Sequence, residues 1–153
     1  MPLIGRENLN IAIDNLKVSM NDDVRGAYLA GLKNVIEPTP ADTGVHRNNW
    51  FLTVGSPSNS FGRVGDKTGG GSIASALKMP MYVLDKDIYF TNNAPGIIPL
   101  EYGGYPKSPK KGSYIKKSNS YEKLSTNGWS NQVGPGGWVR KAVILMRNKI
   151  RSL

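Results

Sequence analysis

The residues able to do chemistry are few and scattered. The single histidine, His46, stands in "ADTGVHRNNW" with Asp42 as its nearest acid in sequence. A metal centre needs several ligands at set spacing, such as H-E-x-x-H or paired histidines, and no such pattern occurs. The chain has no cysteine, which removes disulfides and thiolate metal sites. A hydrolytic site built on His46 and Asp42 lacks a nucleophile, so His46 reads as a loop histidine beside a sheet. "GRVGDKTGGGS" has the glycines and Lys-Thr pair of a phosphate loop. Asp66, however, separates Gly65 from Lys67 and sets a negative charge where a phosphate would sit. Asp85 and Asp87 would share one face of a strand, where like charges describe an exposed turn rather than an acid–base pair. No catalytic, cofactor-binding or metal-binding residues emerge, and the expectation is a protein that is not an enzyme.

Binding has stronger signals. Lys107, Lys110, Lys111, Lys116 and Lys117 are interleaved with Tyr105, Tyr114 and Tyr121, a pattern suited to phosphate contacts and stacking. The charge is unevenly placed: residues 1–103 hold nine Lys or Arg against ten Asp or Glu, whereas residues 104–153 hold eleven against Glu122 alone. The net charge of +9 therefore arises in the C-terminal third. Basic segments of this kind meet nucleic acid, anionic membranes or acidic protein surfaces, and charge by itself selects none of them.

The elements that position these residues follow from periodicity. Leu9, Ile13, Leu16, Met20, Val24, Ala27 or Tyr28, Gly31 or Leu32, and Val35 recur every three or four positions, as an amphipathic helix requires. "NDD" at Asn21–Asp23 offers an internal cap, so one helix or a helix pair is expected, ending at Pro38 and Pro40. "NWFLTVGS" (Asn49–Ser56) reads as a strand, Ser56 to Gly71 as a long mobile loop and "SIASALKM" as a short helix. "MYVLDKDIYFTNN" reads as one strand or two, and "GIIPLEYGG" as the next, with Pro99 favouring an edge or bulge. A second long irregular region spans 104–137. A last helix in "GWVRKAVILMRNKIRSL" has Trp138, Ala142, Leu145, Met146, Ile150 and Leu153 on one face. This order predicts a single α+β domain over residues 1–153, with helices packed on a small, mostly antiparallel sheet. At 153 residues the chain can bury a sizeable core. Polar residues interrupt "MPLIGRENLNIAIDNLKVSM" too often for a signal peptide or membrane span, so a cytoplasmic origin is expected.

Three segments, in order, resemble a family of small tailed-bacteriophage proteins. "TPADTGVHRNNW" is similar to that family's P-x-D-T-G-x-x-R-x-x-W pattern after the first helix, carried here by Asp42, Thr43, Gly44, Arg47 and Trp50. "YFTNNAPGIIPLEYGGYP" resembles its strand with Asn and Pro followed by a Glu-aromatic-Gly turn, here Glu101, Tyr102 and Gly103. "GPGGWVRKAV" resembles its closing segment, in which an aromatic and an arginine, here Trp138 and Arg140, begin the last helix. One departure is that Gly96, Ile97, Ile98 and Pro99 stand where the family often has an aromatic pair. The family is that of tail-completion or head–tail joining (neck) proteins. The resemblance implies a virion structural protein of the neck or upper tail, made in the host cytoplasm. It would lack catalytic activity and cofactors and act as a ring-like homo-oligomer, a hexamer by expectation. Neighbouring neck or tail proteins would be its partners, with non-specific contact to packaged DNA.

Taken on their own chemistry, Asp42-Thr43-Gly44 is a turn, and Trp50 and Trp138 are core residues. Arg47 is a candidate ion-pair partner for Glu101, and Gly103 or Gly104 is expected at positive φ. The 105–134 loop, with Lys107, Lys110, Lys111, Tyr114, Lys116 and Lys117, is expected to touch adjacent subunits, a neighbouring neck protein or a DNA channel. A small basic nucleic-acid-binding module is the competing expectation, recognisable by salt-dependent DNA affinity.

Overall fold

A computed structural model describes residues 4–103, 113–115, 118–122 and 136–153. Its longest element is a single helix, α1 (Ile4–Ile36). Of the two alternatives, one helix or a pair, the single helix is found, and Asn21 does not cap a second one. Its side chain leaves the helix to bracket a distant loop, donating to the Met81 carbonyl (2.8 Å) and accepting from the Val83 amide (2.7 Å). Pro38 and Pro40 end α1 as expected, and the Thr39 hydroxyl donates back to the Val35 carbonyl at 2.6 Å.

A one-turn helix, α2 (Val45–Asn48), leads into strand β1 (Phe51–Val54). Helix α3 (Gly70–Ala76) follows, then strand β2 (Ile88–Thr91). The two strands pair antiparallel in the register Phe51–Thr91, Leu52–Phe90, Thr53–Tyr89 and Val54–Ile88. Helix α4 (Ile97–Tyr102) comes next, and α5 (Val139–Arg151) closes the chain. Between them β3 (Ser113–Ile115) and β4 (Ser120–Glu122) form an antiparallel hairpin, so regular structure enters a region expected to be wholly irregular. The α+β class with a small antiparallel sheet, a long first helix and a closing helix is as expected.

Two strand expectations fail. "GIIPLEYGG" is the helix α4: Gly96 enters it with φ +87°, and Pro99 falls in the first turn, where a missing N–H costs no helical bond. The expected strand from Met81 is ordered only at Ile88–Thr91, because residues before it follow Asn21 and run irregularly.

The core gathers Leu32, Val35 and Ile36 of α1 with Trp50, Leu52, Met79, Val83, Ile97 and Leu100, and is closed by Trp138 and Ala142. Trp50 stacks on Phe90 across the sheet, with ring centroids 5.2 Å apart and planes 12° from parallel. Both tryptophans thus take the core role the sequence suggested. The expected apolar face of α1 is covered only in its C-terminal half. Leu9, Ile13, Leu16 and Met20 are exposed, with 59%, 41%, 60% and 50% of their surface open. Of the face expected in the last helix, Trp138 just before α5 and Ala142 within it are buried, while Leu145 and, past its end, Leu153 remain exposed.

Candidate functional site

The residues that carried the family resemblance converge on the C-terminal end of α1. The Val35 carbonyl accepts from the Thr39 hydroxyl and from the Trp138 indole N–H at 3.0 Å, and Thr39 Oγ1 in turn accepts from the Trp50 indole at 3.1 Å. One point on α1 therefore anchors both tryptophans, which lie 88 positions apart in the chain.

Arg47 completes this junction. Its Nε and Nη2 donate to the Thr39 carbonyl (3.0 and 2.7 Å), Nη2 also to Glu37 O (2.7 Å), and Nη1 to Lys67 O (2.8 Å). A planar guanidinium suits this task because its fork reaches three carbonyls at fixed angles. Burial pushes its pKa down, and the nearby Glu37 charge opposes that. Arg47 does not pair with Glu101, as the sequence reading proposed, because its donors are spent on the turn after α1 and on the loop ahead of α3.

Glu101 has a different partner set. Its Oε2 accepts from the backbone amides of Trp138 and Val139, each at 3.0 Å, and its Oε1 from the amide (3.0 Å) and Nε (3.1 Å) of Arg140. Arg140 Nη2 donates to the Glu101 carbonyl (3.0 Å), and its guanidinium lies 4.7 Å from the Tyr102 ring centroid. The carboxylate on α4 therefore caps α5, where orphan amides and the helix dipole both favour an anion. Gly137 makes the approach possible: it sits at φ +67°, and a Cβ there would collide with the carboxyl group. Gly103 ends α4 at φ +72°, as expected for one of the two glycines after Tyr102.

The turn Asp42-Thr43-Gly44 is also as expected. Gly44 has φ +82°, the Thr43 hydroxyl accepts from the Val45 amide (3.4 Å), and Asp42 is exposed. Asn48 and Asn49, given no structural role in the sequence reading, hold the 56–69 loop against the fold. Asn49 donates to Val45 O and Arg63 O and accepts from the Arg63 amide, while Asn48 donates to Val64 O and accepts from the Gly71 amide. Asn93 grips the same loop at Ser58 O and Ser60 O. The expected mobile loop is thus a pinned one. Ser72 and Ser75 of α3 accept from the amides of Trp50 and Leu52, satisfying the edge of β1 that faces away from β2. The available signal was the pair of asparagines abutting a strand and two serines one helical turn apart.

His46 Nε2 lies 2.7 Å from Pro95 O, which fixes that nitrogen as the donor. Burial lowers its pKa, partly offset by this bond. Asp66 does not answer a phosphate either. Its carboxylate accepts from the Thr68 hydroxyl and amide and from the Gly70 amide, and these bonds hold it below the usual carboxylate range. Among the described residues, no group of three or more His, Cys, Asp or Glu could hold a metal ion, and no buried side-chain nitrogen or oxygen lacks a partner. No helix among them is long and apolar enough to cross a membrane.

Two stretches of the exposed surface stand out, one rich in apolar residues and one basic. Gly5 to Met20, sixteen consecutive residues of α1, are all exposed. Arg140, Lys141, Arg147, Lys149 and Arg151 are exposed on α5, a helix with no acidic residue. Lys107, Lys110, Lys111, Lys116 and Lys117 lie outside the described residues, and Tyr114 is described only as a backbone position of β3. The chain matches no family model, no curated protein sequence and no solved structure.

Proposed function

We propose that this chain is a non-enzymatic structural subunit of a tailed-bacteriophage virion, acting in the neck or upper tail to complete the tail or join it to the head. It does so by assembling with copies of itself into a ring, six in number, beside neighbouring neck or tail proteins, and it contacts packaged DNA through non-specific charge. The observation that carries this reading is the uncovered half of α1. Its polar frame is consumed internally, in holding α1, α4 and α5 together, whereas a run of large apolar side chains is left in water. A lone protein gains nothing from that arrangement, and an assembling one gains its contact surface. The three segments that resemble neck proteins also form one connected frame, which supports reading them together.

Native mass spectrometry of the purified chain over a concentration series, with and without nuclease, tests the proposal. The expected result is a discrete closed oligomer free of nucleic acid. The exposed, acid-free basic side of α5 favours a second reading, a small nucleic-acid-binding module. That reading requires a monomer that keeps DNA until nuclease or high salt removes it.

A further inference from the structure

From the exposed half of α1 we infer that this segment is an arm held between two further copies of the same chain, one on each side. At about 100° per residue, Leu9, Ile13, Leu16 and Met20 fall within roughly 60° of one another, and Ile11 and Val18 lie roughly 180° from them. All six are exposed, from 41% to 60%. Polar strips separate the two stripes: Arg6, Asn10, Asp14 and Lys17 on one side, and Asn8, Asn15 and Ser19 on the other. A helix with one apolar stripe needs one partner, and this one has two, facing opposite ways.

Its chemistry selects the occupant. A membrane surface takes a helix with a single apolar face and a basic rim. Here the apolar residues are on opposite sides, and Arg6 and Lys17 are offset by Glu7 and Asp14. A nucleic acid would need an excess of cations that this segment lacks. Identical subunits in head-to-tail contact give each copy a neighbour on both sides from one kind of partner. The wider stripe also continues a seam already used within the fold. Leu9 and Ala27 are five turns apart, as are Ile13 and Gly31, so each pair shares an angular position. Ala27 is fully buried, and Gly31 lies under Met146 of α5. Beyond α5 the same seam runs on uncovered, fit for a helix of a neighbouring copy. A cylinder of sixteen residues, about 24 Å long and about 10 Å across, has roughly 750 Å² of side surface. Each of the two neighbours covers about half of it, and in head-to-tail contact each copy also lies over half of its neighbour's arm, so the two shares together approach the ~800 Å² that each partner commits to a stable interface.

The inference rests on the self-assembly reading, and the following test separates the two. Two variants of the full chain are prepared, Ile13→Glu/Leu16→Glu on the wide stripe and Ile11→Glu/Val18→Glu on the narrow one. Leu16→Gln serves as an uncharged companion, and circular dichroism confirms that all of them fold. Each Glu pair, buried against a neighbour, is expected to raise the concentration of half-assembly roughly 100-fold or more. Native mass spectrometry then shows each variant alone as a monomer. Mixing the two restores a 1:1 dimer, because one complete contact can form between them and the next cannot. Closed oligomers that persist in both variants overturn the arm and leave the ring standing. A ladder of open wild-type oligomers that both variants abolish overturns the ring and leaves the arm. A wild-type chain that stays monomeric overturns both, and protection of the Leu9, Ile13 and Leu16 side chains from hydroxyl-radical labelling in that monomer identifies its own remaining residues as the cover.

Discussion

At the scale of single residues, the polar side chains of this protein hold backbone in place. Glu101 shows how much one of them carries. Its side chain is 8% exposed and serves three backbone amides at the start of α5 together with the Arg140 guanidinium. Removing it leaves those amides without acceptors, a loss larger than that of an ordinary helix cap because the acceptor is charged. Arg140 is 45% exposed and can be resolvated by water, which trims the penalty for the stranded cation. Glu101→Ala should therefore lower the unfolding free energy by about 3 kcal/mol, read from urea denaturation. Gly137→Ala should destabilise for a different reason, a Cβ driven into that same carboxyl group at a backbone angle that favours glycine. In the double variant the carboxyl group is gone, so the two costs should sum to less than their separate values. Strict additivity would mean that Gly137 is constrained by its backbone angle alone.

At the scale of elements, the 56–69 loop tests whether asparagine side chains can hold irregular chain in place. Asn49 is fully buried and reaches both the amide and the carbonyl of Arg63. Two hydrogen bonds of ordinary net strength govern opening of the loop by at least a factor of ten. Asn49→Ala should thus speed tryptic cleavage after Arg63 by roughly tenfold, followed by mass spectrometry of that one bond. The end of α1 before Pro38, the helix α5, the strand at Phe51, the turn at Gly44 and the core roles of Trp50 and Trp138 were legible in the sequence, because each depends on local periodicity or on a residue with one conformational use, whereas the strand read from Met81 onward formed only at Ile88–Thr91. The helix α4 was not, since "GIIPLEYGG" is too short for periodicity to separate helix from strand, and Pro99 suits a first helical turn as well as a sheet edge. The Arg47–Glu101 pair failed for a related reason. Opposite charges on two segments are visible in sequence, but the backbone carbonyls that compete for an arginine appear only once the turns are folded. The roles of Asn21, Asn48 and Asn49 were hidden in the same way, because their partners are main-chain atoms up to 62 positions away.

At the scale of the whole molecule, charge and apolar surface pull assembly in opposite directions. Each chain carries +9, all of it from the C-terminal third, so copies brought together repel one another. The exposed stripes of α1 attract by burial, which salt does not weaken. Raising the ionic strength shortens the reach of charge from ~30 Å at 0.01 M to ~3 Å at 1 M. Self-association through α1 should therefore tighten as salt rises. Nucleic acid held by the basic third should come off over the same range, with log affinity falling linearly in log salt. Sedimentation velocity at low and high salt, on samples with and without added duplex DNA, reads both trends at once. Tighter oligomers together with released DNA identify apolar contact as the force that joins the subunits and charge as the force that meets DNA. Oligomers that fall apart in high salt would instead mean that the basic third of one copy grips an acidic surface of the next. In that case the stripes of α1 would be secondary to the ionic contact.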